Sequence, residues 1–257
     1  MKKVMKKVMK KVMKKELFLL TAVVIVVIAS LVFRDKYVYL EKTFVERKTE
    51  NIDVFLDEVN IKELNRCSNI KSMIVADTTN DRFSQLTVFE HLETLEVFLS
   101  KEEISADGVG MINKQPNLKE LGFTYTEADL NGINNSSVEK MIISASSVKN
   151  LQSAADCGAL KELILNSSKV DGCIIAEENT GNDKEPYNFY LSDSSELSAL
   201  NNIEELSFYN IYVEDISGVA YMDSLKRVTV SEGFISDEVR KLLEDKGIIV
   251  VEKSKGE

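Results

Sequence analysis

The chain has 257 residues, with 32 basic and 42 acidic side chains, one histidine, three cysteines and no tryptophan. Residues 1–16 hold eight lysines and one glutamate, so residues 34–257 hold 24 basic and 41 acidic side chains. A body this acidic lacks the basic surface that neutralises phosphates, and we expect no nucleic-acid partner. A single histidine excludes most metal sites and catalytic triads, and we expect neither a metal nor a cofactor.

The first 33 residues predict a membrane anchor. Residues 17–33, LFLLTAVVIVVIASLVF, carry no charge. As a helix they would span roughly 25 Å, slightly less than the hydrocarbon layer of about 30 Å. The lysines before this segment outnumber the basic residues just after it, and cytoplasmic flanks carry the basic excess. We therefore expect residues 1–16 to be a basic cytoplasmic tail, residues 17–33 a transmembrane signal-anchor helix, and the rest of a single-pass cell-membrane protein to be extracellular.

A cleaved signal peptide is the alternative for the same segment, and it would give a secreted form. The apolar region of a signal peptide usually has about 7–15 residues and ends in small residues with A-x-A spacing. Only Ala29 and Ser30 approach that spacing here. The sequence leaves cleavage open. Because residues 1–15 repeat the unit MKKV, it also leaves open which methionine is the start.

The body of the chain is a tandem repeat. Seven segments share apolar residues at relative positions 0, +3 and +5, and most of them start 20–26 residues apart. From Val138 and from Ile203 the apolar positions continue at +10, +13, +16 and +19. Residues at +3 and +5 point to one face of a strand, and the later spacing of three suits a tight helical turn. The first residues of the segments are Ile70, Leu92, Leu118, Val138, Leu160, Ile203 and Leu225.

This pattern resembles that of leucine-rich repeats. The period near 22 residues and stretches such as ISGVAYMDSLKRVTV resemble the internalin-like bacterial class, over roughly residues 52–251. The resemblance implies an α/β solenoid, with a curved parallel sheet and short helices or 3-10 turns on its convex side. Asparagine is usual at +8 in the family, and hydroxyls can replace part of its bonding. Here the +8 residues are Thr78, Ser100, Thr126, Ser146, Ser168, Ile211 and Gly233.

Both ends of the array need caps. Ile52, Val54 and Leu56 alternate as an edge strand, and we assign residues 34–60 to a linker and N-terminal cap. Residues 61–235 are the repeats. Residues 236–257 are a C-terminal cap, with a helix that begins at Ser236 and ends at Gly247, followed by a last strand.

An acidic, loop-like insertion near residues 169–188 interrupts the period. Pro186, Phe189 and Leu191 suggest a degenerate copy of the repeat at its end, which would add one more strand to the parallel sheet. Cys67 and Cys157 fall on the core face too far apart to pair, so we expect buried free thiols and no disulfide framework.

In a leucine-rich-repeat fold the side chains at +2, +4 and +6 project outward from the concave face of the sheet. Exposed aromatic and aliphatic residues there are typical binding anchors. We find no nucleophile elbow, Walker loop or dinucleotide fingerprint, and we expect a protein that is not an enzyme. The prediction is a membrane-anchored extracellular module that binds a protein or cell-envelope ligand, and the alternative is a structural or scaffolding component of a bacterial cell envelope. The candidate ligand-binding residues are Phe98, Ile142, Ile164, Tyr190 and Tyr209.

Overall fold

The structure is a computed structural model, and it describes residues 23–178, 187–213, 215–231 and 235–253. The predicted tail (1–16) and the first six residues of the predicted span (17–33) lie outside the described residues. Residues 23–36 form a helix, α1, whose side chains are all exposed. In the part of the chain that the structure describes, no helix is both long enough and apolar enough to cross a membrane.

After α1 the described residues form strands in three sheets, four further helices and three 3-10 turns. The 3-10 turns are Leu151–Asp156, Ser195–Ala199 and Ser217–Tyr221. The helices are α2 (Ile61–Leu64), α3 (Asn80–Ser84), α4 (Ala106–Asn113) and α5 (Asp237–Asp245). The strands are β1 (Tyr37–Leu40), β2 (Thr43–Glu46), β3 (Asn51–Phe55), β4 (Ser72–Ala76), β5 (Thr94–Phe98), β6 (Glu120–Thr124), β7 (Glu127–Asp129), β8 (Lys140–Ser144), β9 (Ser147–Lys149), β10 (Glu162–Asn166), β11 (Lys169–Val170), β12 (Ile174–Glu178), β13 (Tyr187–Leu191), β14 (Glu205–Tyr209), β15 (Tyr212–Val213), β16 (Arg227–Val230) and β17 (Ile249–Glu252).

The repeats build a nine-stranded parallel sheet in the order β17-β16-β14-β10-β8-β6-β5-β4-β3. Leu163 and Leu165, at +3 and +5 of one repeat, have no exposed surface, whereas Ile164 between them is half-buried. In the neighbouring strands Met141 and Leu206 pair in register with Leu163 and are equally buried. The predicted register is therefore confirmed, and each repeat adds two apolar side chains to a continuous core.

A second sheet covers the other side of that core, in the order β15-β13-β12-β11-β9-β7. Its short strands follow the strands of the main sheet and lead into the helices and 3-10 turns. Val148, Leu151, Ala154 and Cys157 are all nearly or fully buried, as the offsets +10 to +19 predicted. The α/β architecture, with a long parallel sheet faced by short helical turns, agrees with the predicted fold class.

The insertion departs from the sequence prediction. β12 and β13 form an antiparallel hairpin, and β13 also pairs with β15 in the second sheet. The main sheet has no strand at this point, because β10 pairs directly with β14. The prediction that a degenerate repeat adds a strand to the main sheet is therefore wrong. The backbone of β13 finds its partners in β12 and β15, so it adds a strand to the second sheet instead.

Hydroxyl groups replace the asparagine ladder at +8. Ser146 Oγ lies 3.1 Å from the Phe123 carbonyl and accepts the Thr126 amide at 3.0 Å. Ser168 Oγ lies 3.0 Å from the Ile143 carbonyl and accepts the Ser146 amide at 3.2 Å. The hydroxyls of Ser146 and Ser168 therefore each connect successive repeats and satisfy backbone groups that the strand pairing does not reach.

The residue at +7 takes a left-handed conformation in six repeats, although none of the six is glycine. The φ angle is 50° at Tyr125 and 47° at Ala145. The Tyr125 amide donates to the Ser144 carbonyl of the next repeat at 3.1 Å. This bond at the end of the strand offsets part of the strain of the left-handed backbone. The other four residues are Asp77, Leu99, Ser167 and Asn210.

The two ends of the array are closed. Ser236 caps α5 by accepting the Val239 amide at 3.2 Å, and Gly247 follows the helix with φ +77°, as the sequence predicted. At the other end β3 is the predicted edge strand. The region assigned to a linker contains the hairpin β1–β2, in which Val38 and Leu40 are 1% and 2% exposed and pack on the core.

The three cysteines, Cys67, Cys157 and Cys173, are buried and free. Burial raises the pKa of Cys157 to about 11 and that of Cys173 to about 12. Thiols held in the protonated form in a closed core act as small apolar groups rather than as nucleophiles.

Candidate ligand-binding face

The outward side chains of the nine-stranded sheet, at +2, +4 and +6, form a surface that we call the strand face. Interior strands pair on both sides, so a ligand there meets side chains rather than free backbone. Four of the five predicted site residues lie on this face and are half-buried, namely Phe98, Ile142, Ile164 and Tyr209. Tyr190 does not, because β13 belongs to the second sheet, where its ring lies 5.9 Å from that of Tyr212.

The centre of the strand face is aliphatic. Ile142 pairs in register with Ile164 on one side and with Gly122 on the other. Gly122 leaves a depression beside the two isoleucines. Glu96 from the preceding strand leans over this depression, since a Cβ built on Gly122 would lie 3.3 Å from Glu96 Cγ. The centre of the strand face therefore combines the apolar side chains of Ile142 and Ile164 with the carboxylate of Glu96.

One end of the strand face is aromatic. The rings of Phe98 and Tyr125 meet edge-on with centroids 5.8 Å apart, and Tyr125 is 57% exposed. Phe55 and Phe98 flank Ala76 in register across β3, β4 and β5, and Phe55 is 51% exposed. The alternation of Ile52 and Val54 could have placed Phe55 outward. No sequence signal identifies Tyr125, because its direction depends on the left-handed turn at +7.

The other end of the strand face is polar. Lys253 Nζ lies 5.4 Å from the centre of the Tyr209 ring, within reach of a cation–π interaction. Asn166, in register with Tyr209, accepts a bond from Asn210 Nδ2 at 2.9 Å and donates to Ser144 Oγ at 3.2 Å. These bonds connect the polar side chains of three neighbouring repeats around Tyr209.

Acidic side chains border the strand face where its strands begin. A cleft of about 430 Å³ there is lined by five glutamates and three lysines. Hydrogen bonds from Lys226 at 2.5 Å and from Lys161 hold the pKa of Glu204 below its ordinary value. Lys140 pairs with Glu162 at 3.5 Å. Acidic side chains therefore outnumber basic ones in the lining of this cleft. The eight residues are Lys119, Glu120, Glu139, Lys140, Lys161, Glu162, Glu204 and Glu205.

A second recess of about 610 Å³ lies where the strands end. The hairpin β12–β13 forms one wall through Ala176 and Phe189, and the loops after β5, β6 and β8 form the other. Tyr125 lines this recess and also contacts Phe98, so the recess continues the aromatic end of the strand face. The acidic insertion thus adds a wall beside the predicted surface.

The chain stacks units of about 22 residues. Each unit contributes one strand to a long parallel sheet and one short turn to the opposite side. This arrangement defines the leucine-rich-repeat class of folds. Within the described ranges, no group of three or more histidine, cysteine or acidic side chains is arranged to hold a metal ion. No protein-family model matches the sequence, and a search of curated proteins finds no match.

One solved structure supports this class of fold. The chain is similar to internalin C2 from Listeria monocytogenes, with a TM-score of 0.51 and 17% identity over 82% of this chain and 86% of that one. Internalin F from the same species is 16% identical over 83% of this chain and 65% of its own, with a TM-score of 0.46. The Arabidopsis receptor kinase HAESA, solved with the peptide hormone IDA and the co-receptor SERK1, is 11% identical over 71% and 32%, with a TM-score of 0.38. At 17% identity, the likeness to internalin C2 supports the fold and does not indicate a shared ligand.

Proposed function

We propose that this chain is a non-catalytic binding module that takes a protein or peptide ligand on its strand face. The observation that carries the proposal is the set of apolar side chains Phe98, Ile142, Ile164 and Tyr209, which lie on four strands of one face and stay half-exposed on a sheet whose backbone is already paired. Large apolar side chains in a fixed frame are the usual anchors of protein interfaces.

Charge narrows the class of ligand. The cleft beside these anchors is lined by five glutamates and three lysines, and Glu96 lies among the central residues. A partner segment with apolar side chains and with lysine or arginine on one side would complement this surface. Solvent-facing charges of this kind affect the rate of association and the choice of partner more than the final affinity.

We further propose that an N-terminal apolar segment anchors the module in a membrane, with the repeats on the outer side. The support is the uncharged run 17–33 and the eight lysines before it. The positive-inside bias sets the direction. On this proposal the strand face binds its ligand at the cell surface.

Site-directed photo-crosslinking in intact cells tests the binding proposal. A photoreactive phenylalanine analogue replaces Phe98 or Tyr209 on the strand face, and Tyr221 serves as the matched control because it is 69% exposed and lies on a 3-10 turn away from that face. We expect a discrete adduct with one partner from positions 98 and 209 and none from 221. Equal adducts at 221, or none at 98 and 209, would refute binding through this face. Adducts with a second copy of the chain would instead support assembly.

A further inference from the structure

Aromatic rings are exposed where α1 meets the hairpin β1–β2. The ring of Phe33 stacks on Tyr37 with centroids 4.7 Å apart and meets Phe44 edge-on at 5.0 Å. Phe44 also contacts Tyr39 at 5.0 Å. Phe33, Tyr39 and Phe44 nevertheless remain 45%, 50% and 60% exposed. These four residues, which we call the aromatic cluster, contact one another and still face outward.

The orientation of the hairpin β1–β2 is fixed by its buried face, so the rings stay on its outer face. Val38 and Leu40 on one face of β1 are buried in the core, and the alternate residues Tyr37 and Tyr39 therefore point to the opposite side. The buried face holds the hairpin against the first repeats. The aromatic cluster is left as the outer surface of that end of the molecule.

The last turn of α1 is bound to the body. The carbonyls of Arg34 and Asp35 accept bonds from Arg66 Nη2 and Arg47 Nη1, each at 3.2 Å, and the Lys36 carbonyl accepts the Arg47 amide at 3.0 Å. The final carbonyls of a helix have no partner inside it, and these donors satisfy them. The direction in which α1 leaves the repeats is thereby set.

The helix itself is suited to lipid. Residues 23–33, VVIVVIASLVF, carry no charge, and each of their side chains is exposed. The hydroxyl among them, Ser30 Oγ, donates to the Val26 carbonyl at 2.7 Å, so it needs no water. In sequence the apolar run extends to residue 17, and residues 17–22 lie outside the described residues. An apolar helix that ends in exposed aromatic rings matches the belt of tyrosine and tryptophan at membrane surfaces.

Charge distinguishes this end from the rest of the body. Residues 34–48 carry five basic and three acidic side chains, whereas residues 49–257 carry 19 basic and 38 acidic ones. A cleft of about 410 Å³ at the base of the hairpin is lined by seven residues, four of them basic. Anionic headgroups attract basic side chains and repel the acidic repeats. The lining residues are Asp35, Lys36, Glu46, Arg47, Lys48, Arg66 and Ser68.

We propose that the hairpin β1–β2 lies in the headgroup layer of an anionic membrane. The aromatic cluster occupies the boundary between headgroups and acyl chains, and the exposed Lys42 and Lys48 contact lipid phosphates. This inference rests on the proposed N-terminal anchor and adds to it a defined contact between the body and the lipid. Because the hairpin and α1 are both bound to the first repeats, the contact holds the strand face at a set angle to the membrane.

The absence of tryptophan from the sequence allows a direct test. The full chain with Phe44→Trp carries a single tryptophan, and the full chain with Tyr221→Trp is the matched control at an exposed position near the other end of the sheet. Each is reconstituted in vesicles of phosphatidylcholine and phosphatidylglycerol in equal parts, with or without acyl chains brominated near the headgroup. For a side chain at the interface we expect a blue shift and the loss of about half of the emission at position 44, and no loss at 221.

Flotation of the same vesicles separates this inference from the anchor. A chain that does not float with lipid would refute the anchor, and the contact with it. A chain that floats but shows equal emission at position 44 with and without bromine would refute the contact while leaving the anchor standing. A blue shift without quenching, together with crosslinks between copies, would show that a second chain covers the cluster and would also refute the contact.

Charge reversal tests the role of the lysines. Lys42→Glu combined with Lys48→Glu, in the Phe44→Trp background, should reduce the quenching about twofold in the anionic vesicles and should leave flotation unchanged. Replacing phosphatidylglycerol by phosphatidylcholine should have the same effect on the parent. Quenching that is insensitive to both changes would refute the proposed contact with lipid phosphates.

Discussion

Replacing Leu163 by alanine tests the register on which the strand face depends. The side chain of Leu163 has no exposed surface and lies between the in-register Met141 and Leu206. Leu163→Ala removes three buried carbon groups, worth about 2.4 kcal/mol at about 0.8 kcal/mol each, and the remaining cavity adds about 1 kcal/mol. Hydrogen bonds to both neighbouring strands prevent the backbone from closing the cavity. We therefore expect a loss of about 3–4 kcal/mol.

The assay is urea unfolding of the purified chain, followed by circular dichroism. With a slope of about 3 kcal/mol/M, the loss lowers the midpoint by about 1 M. The matched control is Ile164→Ala, one residue further along β10 and half-exposed on the strand face, which should cost less than about 1 kcal/mol. A larger loss for Ile164→Ala than for Leu163→Ala would mean that the strand is shifted by one residue and that the proposed anchors are core residues.

Three further outcomes are expected. Ser146→Ala leaves the buried Thr126 amide without its acceptor and should lower the free energy of unfolding by about 1–3 kcal/mol, and an unchanged urea midpoint would contradict the hydroxyl ladder. Ala145 has a left-handed backbone with φ 47°, and Ala145→Gly should relieve its strain and raise the free energy of unfolding by about 0.5–1 kcal/mol in the same urea titration. A lower free energy of unfolding would contradict the proposed strain. The pKa values of Cys157 and Cys173, raised to about 11 and about 12, exceed the value of about 8.5 for an unfolded thiol, so the unfolded state loses these protons first. Stability should then fall as the pH rises from about 9 to about 11, and a thiol reagent should label these cysteines at pH 8 only after unfolding; rapid labelling of the native chain would show an open core.

The repeat could be predicted from the sequence because its information is local. Alternation at +3 and +5 places Leu163 and Leu165 on one face of a strand whatever the neighbours are. A unit of 22 residues cannot cover that face alone, so the same spacing in Ile203, Leu206 and Phe208 implies stacking. The C-terminal cap was predictable for the same reason, since the signals at Ser236 and Gly247 act within a turn or two of the chain.

The proposed binding face was only partly predictable from the sequence. Phe98, Ile142, Ile164 and Tyr209 follow from the register, and the strand face contains them. The position of Tyr190 does not follow from the register, because the insertion breaks the period and its strand can pair in either of two sheets. Its position depends on which strands satisfy its backbone, and β12 and β15 lie beside it only in the folded chain.

Tertiary structure alone decided the features that join distant parts of the chain. The exposure of Tyr125 follows from a left-handed residue at +7 whose amide bonds to the next repeat, and a tyrosine carries no sequence signal for that conformation. The hairpin β1–β2 lies in a region that sequence reading assigned to a linker, because its alternation covers only Val38 and Leu40. Packing against the first repeats buries those two side chains and turns Tyr39 and Phe44 outward. Local spacing determines the faces of regular strands, whereas contacts between segments far apart in the chain determine where its irregular segments pack.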